Sequence, residues 1–175
     1  QVWHFKTVGE VRTGIAIDSW NLKGKAAEPK IYFGDAIGNV YAINAMSGDL
    51  VWKDRADSHP NATITGAPVL HDGVLFVPVS SLEVQLAVNP EYECCTGRGS
   101  VVAYDALTGA RKWKTYTIPD EPTVQYVNAA GTDMYGPSGS TVWNSPTIDI
   151  SRNQLYIGTG ENMSSPADGT SDAIF

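Results

Sequence analysis

Cys94 and Cys95 stand side by side and are the only cysteines in the chain. As two free thiols they would be ordinary weak acids. Joined to each other they would close an eight-membered ring with a distorted peptide bond, an uncommon and strained arrangement that persists in oxidising compartments. The residues alone leave both readings open. Glu83 follows the run Val79-Ser80-Ser81-Leu82, which puts a carboxylate at the end of a strand-like segment. That placement suits a hard cation, which takes several oxygen ligands; the plainer reading is a solvated loop residue. Trp143 precedes Asn144-Ser145-Pro146, and its flat ring can stack on another flat system or fill a core. Arg12 and Arg98 carry the planar guanidinium that meets a carboxylate bidentately. Thr65 and Ser80 supply hydroxyls at strand ends, a weak signal because such residues are common there. His71 lies in the turn Leu70-His71-Asp72-Gly73 and is no credible base; His59 reads as structural or exposed.

A frame must bring such scattered residues together, and it is visible as a repeat. Residues 38–53, Gly-Asn-Val-Tyr-Ala-Ile-Asn-Ala-Met-Ser-Gly-Asp-Leu-Val-Trp-Lys, lie over residues 99–114, Gly-Ser-Val-Val-Ala-Tyr-Asp-Ala-Leu-Thr-Gly-Ala-Arg-Lys-Trp-Lys, with seven of sixteen positions identical at an offset of 61. Each copy is a β-rich run, a turn closed by Gly48 or Gly109, and a returning strand with Trp52 or Trp113. Trp3 fits the last strand of an earlier copy. Two further strands precede each hairpin: Gly66–Leu70 with Val74–Val77, Ser145–Asp149 with Gln154–Gly158, and earliest Thr13–Ile17 with Lys30–Gly34. Four antiparallel strands per repeat make a propeller blade. The expected fold is therefore all-β, a partial β-propeller with almost no helix. Residues 1–10 end one blade, 11–60 form a second, 61–141 a third with long insertions at roughly Ser80–Arg98 and Thr115–Thr141, and 142–175 a blade cut short. Since a closed propeller has at least four blades, the chain is expected to be a piece of a longer protein.

Composition sets the outer limits. With 12 Lys+Arg and 19 Asp+Glu among 175 residues, the net charge is 12 − 19 = −7. That acidity argues against a nucleic-acid backbone as partner. Hydrophobic residues at 42% and charged residues at 18% exclude a wholly disordered chain. No apolar run approaches the roughly 20 residues that span a bilayer, and no secretory leader is visible, so any leader has been removed or lies outside the chain.

The hairpin pattern Ala-x-Asn/Asp-Ala-x-Ser/Thr-Gly followed by Trp-Lys resembles the tryptophan-docking repeat of quinoprotein dehydrogenases, eight-bladed propellers that hold pyrroloquinoline quinone (PQQ) and usually Ca²⁺ near their axis. Val11-Arg12-Thr13, Ala67 to Gly73, Tyr92 to Ser100 and Gly136 to Trp143 are similar to members that oxidise polyvinyl alcohol. The resemblance implies a role for each candidate. Arg12, with Arg98 as its competitor, would pair with a PQQ carboxylate. Thr65 and Ser80 would hydrogen-bond the cofactor, and Trp143 would stack on one of its faces. A Cys94–Cys95 vicinal disulfide would lie on the other face, although in methanol-oxidising relatives that pair sits in an earlier blade. Glu83 would ligate Ca²⁺, as would Asn162 in Gly158-Thr159-Gly160-Glu161-Asn162, where Glu161 is an insertion against the family pattern and competes for the role. Removing the Glu83 carboxylate is then expected to weaken metal and cofactor retention and leave the fold intact.

The resemblance further implies hydride transfer from an alcohol, small or polymeric, to the quinone, with Ca²⁺ as Lewis acid. The family's catalytic Asp would fall beyond Phe175, so no base is assigned. A periplasmic or secreted location and a cytochrome c-type electron acceptor are implied as well. Haem would belong to a separate domain or partner, since no Cys-x-x-Cys-His occurs here. Two other readings share the repeat: a cofactor-free scaffold of the outer-membrane assembly type, and a sugar-oxidising quinoprotein. A scaffold has no need of long, chemically special insertions, and this chain has two.

Overall fold

The structure, a computed structural model, describes residues 2–18 and 28–175. Its first sheet is an antiparallel meander of β1 (Ala16–Ile17), β2 (Lys30–Gly34), β3 (Asn39–Asn44) and β4 (Leu50–Arg55), in that order. The long turn joining β1 to β2 falls mostly outside the described residues. The second sheet contains β5 (Ala62–Thr63), β6 (Val69–His71), β7 (Val74–Ser81), β8 (Ser100–Asp105) and β9 (Arg111–Tyr116). Here β6-β7-β8-β9 repeat the meander, while β5 pairs with the far end of β7. A hairpin of β10 (Thr123–Val127) and β11 (Asp133–Gly136) belongs to the second insertion. The third repeat contributes β13 (Thr147–Asp149) paired with β14 (Gln154–Tyr156), and β12 (Ser138–Gly139) pairs with β15 (Asn162–Ser164). The only helix among the described residues is α1, the four residues Glu83–Leu86. Blade architecture and the scarcity of helix are thus as the repeat predicts; the first strand is shorter, two residues where five were expected.

The central strands explain their own composition. Val40, Ala42 and Ile43 in β3, and Val102, Ala103 and Tyr104 in β8, are buried on both faces, so both strands read as nearly continuous apolar runs. The turns that follow share one chemistry. The Asn44 Oδ1 accepts the Met46 and Ser47 N–H groups, and the Asp105 Oδ1 accepts those of Leu107 and Thr108. Gly109 closes its turn at φ +75°, in the left-handed region, and a Cβ there would come within 2.6 Å of the Trp52 ring.

That contact is the joint between blades. Trp52 stacks on Tyr104 with ring centroids 5.7 Å apart, and its indole N–H donates to the Ala106 carbonyl at 2.9 Å. Trp3 repeats the arrangement one blade earlier, donating to the Ala45 carbonyl at 3.0 Å against Gly48. Trp113 does not among the described residues: its ring packs beside Phe76 and is 42% exposed. Charged pairs reinforce the first joint. Asp54 accepts from Tyr104 and Arg111, and Asp57 pairs with Lys114.

The tryptophan-receiving turns lie at one end of the blades. At the opposite end meet the β2–β3 turn, the β7–β8 connection, and the exits of β4 and β9, joined by Ala56 N–H to Gly38, Leu82 N–H to Asn61 and Thr117 N–H to Gly99. The candidate chemistry is concentrated at that second end.

Candidate functional site

The first repeat turns from β2 to β3 through Asp35–Gly38. The Asp35 carboxylate fills this turn, taking the N–H groups of Gly9, Ile37 and Asn39, the Asn39 amide and the Tyr41 hydroxyl. Burial pushes its pKa up, but those donors outweigh burial and hold it below the ordinary value. In the second repeat the same turn is expanded to residues 82–99. Glu83 does there what Asp35 does in the first. It is fully buried, and three donors reach its carboxylate: Tyr92 OH at 3.0 Å, Thr96 N–H at 3.0 and 3.1 Å, and Gly97 N–H at 2.6 Å. A carboxylate has about four lone-pair sites; three donors engage them here, the Thr96 N–H shared between both oxygens. The His59 Nε2 lies 3.8 Å from Oε2 and 2.9 Å from the Thr96 hydroxyl. The His59 Nδ1 accepts the Asn61 N–H, so Nε2 carries the proton and donates. Burial first, then the Glu83 charge, push the Tyr92 phenol up to about 12, so it stays a donor. The Glu83 carboxylate thus pins the loop that carries the cysteines, so its removal is expected to loosen that loop as well as any metal site.

Cys94 and Cys95 are joined as a vicinal disulfide, resolving the alternative left open by the sequence. Both are buried under the β10–β11 hairpin, with the Tyr135 N–H donating to the Cys94 carbonyl and the Cys95 N–H donating to the Tyr135 carbonyl. The two insertions interlock further along. Gly139 N–H donates to the Gly97 carbonyl at 2.8 Å, and Gly99 N–H to the Gly139 carbonyl at 2.9 Å. Gly139 in turn pairs with Asn162, and a Cβ on it would sit 2.5 Å from the Glu161 carbonyl. A continuous hydrogen-bonded path thus runs from Glu83 through Gly97 and Gly139 to the Asn162 strand. Two residues chosen by sequence reasoning lie at its ends. The glycines between them were not singled out, although Thr96-Gly97-Arg98-Gly99 and Ser138-Gly139-Ser140 carry the signal of close backbone approach.

Arg98 is 8% exposed and fully engaged. It donates to the carbonyls of Ile118, Pro119 and Asp120, pairs with Glu121 at 2.7 Å, and lies 3.9 Å from the Tyr116 ring centre. Together with His59, Thr96 and Asp57 it lines a cleft of about 280 Å³. Arg12 is exposed and pairs with Glu10. Ser80 is buried at the end of β7 opposite Thr63. Thr65 donates to the Trp143 carbonyl at 3.3 Å, which brings two predicted residues together. Trp143 is 59% exposed, with its indole nitrogen beside Gly160. Asn162 departs from all of these: its Oδ1 is buried and has no hydrogen-bond partner.

These facts bear on a cation and a flat cofactor. No group of three or more His, Cys, Asp or Glu side chains is arranged to hold a metal among the described residues. The orphaned Asn162 oxygen fits a hard cation; Glu83 is buried and held by three donors, so it reaches one by exchanging N–H donors. The exposed Trp143 ring fits a stacking partner, whereas the disulfide faces are covered by the chain itself. Among the described residues no helix is long and apolar enough to cross a membrane.

Comparison with known proteins agrees with the repeat. A polyvinylalcohol dehydrogenase of a Pseudomonas species is 40% identical over 151 residues, which is 86% of this chain and 24% of that protein. The polyvinylalcohol dehydrogenase of Sphingopyxis sp. (strain 113P3) is 36% identical over 98% of this chain and 26% of its own length. The chain therefore spans about a quarter of these relatives. The structure of quinohemoprotein alcohol dehydrogenase ADHIIG from Pseudomonas putida HK5 matches 76% of this chain and 20% of its own, with a TM-score of 0.56 and 31% identity. The family model PQQ_2, described as outer membrane protein assembly factor BamB, matches residues 1–143. By that match the chain belongs to the PQQ_2 family, and the relatives it is similar to are polyvinylalcohol and quinohemoprotein alcohol dehydrogenases.

Proposed function

We propose that this chain is the site-bearing part of a PQQ- and calcium-dependent dehydrogenase that oxidises an alcohol, polymeric secondary alcohols included, in the periplasm or outside the cell. The observation that carries the reading is the buried, unpartnered Asn162 oxygen, placed by two interlocked insertions that the first repeat lacks. When bound, PQQ would accept hydride from the carbinol carbon while Ca²⁺ polarises the quinone carbonyl. The protein's part is positioning. Trp143 offers an exposed ring for stacking, with its backbone tied to Thr65. Asn162 supplies a cation ligand, and Glu83 a second once its N–H donors are exchanged for the cation. Ser80 borders the same end as a hydroxyl donor to a carboxylated ligand, and Thr65 would join it on releasing the Trp143 carbonyl. Arg98 lies behind the Cys94–Gly97 loop and would meet such a ligand only by releasing Glu121; Arg12 is free of all but Glu10. Electrons would pass to a cytochrome c-type acceptor.

Full-length protein reconstituted with PQQ and Ca²⁺ should reduce an artificial electron acceptor when given secondary or polymeric alcohols, and not with aldoses. Absence of PQQ binding together with absence of any alcohol-dependent reduction would overturn the proposal. That result would favour the assembly-scaffold reading, which the description of the family model supports.

A further inference from the structure

The β10–β11 hairpin is unusual among the strands of this chain. Every residue of β10 is exposed, although Val124, Tyr126 and Val127 are strand-forming, apolar or aromatic types. Burial in the chain's own core therefore does not explain its composition. The hairpin is nonetheless held firmly. Tyr135 bonds both cysteine backbones, the Asn128 amide donates to the Pro90 carbonyl at 2.8 Å, and the Gln125 amide donates to the Gly136 carbonyl at 3.0 Å.

Between this hairpin and β15 lies a cleft of about 390 Å³, bordered by Tyr126, Met134, Asn162, Met163, Ser164 and Ser165. Its walls have two kinds of chemistry. Tyr126, Met134 and Met163 present a ring and two polarisable thioethers, surfaces that favour methylene groups. The Met134 sulfur is itself positioned, 3.4 Å from the Asn128 amide nitrogen. Ser164 and Ser165 add hydroxyls, that of Ser164 already bonded to Ser138 at 2.7 Å. Asn162, with its unpartnered oxygen, lies along the same cleft. Ligand clefts of roughly 300–1,000 Å³ suit molecules far larger than a one- or two-carbon alcohol. A short alcohol would leave the thioethers and the ring in water, and burying them would contribute nothing to its binding.

We infer that the cleft between the hairpin and β15 is the subsite for the chain of the alcohol: an extended aliphatic chain bearing several hydroxyl groups lies over Tyr126, Met134 and Met163 and leads toward Asn162. Methylenes meet the ring and thioethers, and hydroxyls meet the serine rim and solvent. Tyr126 and Met134 are then specificity-determining residues supplied by the second insertion. This rests on the alcohol-oxidation reading above for the identity of the reaction, but the cleft itself makes a separate claim about binding.

The test uses the full-length protein and the variants Tyr126→Ala, Tyr126→Phe and Met134→Ala, with melting curves to establish that each is folded. With PQQ and Ca²⁺ present, the ratio of kcat/KM for oligo(vinyl alcohol) to that for 2-propanol should fall about tenfold in each alanine variant, mainly through KM, as expected from losing one buried apolar contact. Tyr126→Phe should restore the ratio. A ratio unchanged in both alanine variants overturns the inference while leaving the alcohol dehydrogenase reading in place. Calorimetric titration of oligo(vinyl alcohol) into the protein without PQQ separates the two claims. Binding by the parent protein that Tyr126→Ala weakens supports the subsite even if no alcohol is oxidised; no binding by the folded parent protein overturns it.

Discussion

Glu83 looks like a metal ligand in the sequence and behaves as a loop pin in the structure. Its buried carboxylate takes N–H and O–H donors from residues 92, 96 and 97, so a neutral amide in its place would lose charge-assisted bonds and set one NH₂ against donors. Glu83→Gln should lower unfolding free energy by about 2–3 kcal/mol, read by urea denaturation. Hydrogen exchange should rise at Thr96 and Gly97 before it rises in β8. Tyr92 adds an alkaline signature. Its phenol is raised to about 12, so its contribution is whole below the ordinary Tyr value near 10 and is lost as pH climbs from there through 12. Tyr92→Phe should flatten that limb of the stability curve. In the sequence Trp143 stands out because it opens a repeat where Trp52 and Trp113 close one, and Glu83 and Asn162 because they match positions of the family pattern. The sequence did not show how Glu83 would be held, because two of its three donors are backbone N–H groups, which any residue type supplies.

Elements were more legible than residues. A 61-residue offset between two hairpins predicts their strands, their turns and the role of Trp52, since identical turn chemistry needs identical geometry. What escaped was the pairing of β12 with β15 and the β10–β11 hairpin. The hairpin and β12 lie in the second insertion, which occurs once, so there is no second copy to compare, and the partner of β12 comes from the following repeat. Two tests belong at this scale. Trp52→Ala removes a ring that is 91% buried and joins two blades, and should cost about 3–5 kcal/mol; Gly109→Ala, which drives a Cβ into the same ring at a positive φ, should be destabilising as well. Asp57 ties β4's exit to Lys114 of the next blade. Burial pushes its pKa up, but the Lys114 ammonium and the His59 N–H pull it down further, to below the ordinary value. A depressed folded pKa stabilises above the ordinary carboxylate value near 4, and that stabilisation is lost as pH falls from there through the lowered folded value. Asp57→Asn should be less stable than the parent at pH 7 and converge with it in acid, as followed by thermal melts across pH.

At the scale of the whole molecule, one end of the blades is given to mutual docking and the other to chemistry. The docking end repeats from blade to blade. The chemical end does not: its first copy is a four-residue turn around Asp35, and its second is two insertions laced together through Cys94, Cys95, Gly97 and Gly139 to Tyr135 and Asn162. That lacing makes the insertions a single unit for exchange between homologous propellers. A chimera that imports residues 82–99 without 117–141 would leave the Cys94 carbonyl, the Cys95 N–H and the Gly97 carbonyl facing a foreign surface; one that imports both carries its own partners along. Grafts of the pair should express as folded protein where grafts of either half precipitate, so the natural variety of such sites is expected to change by exchange of the coupled pair.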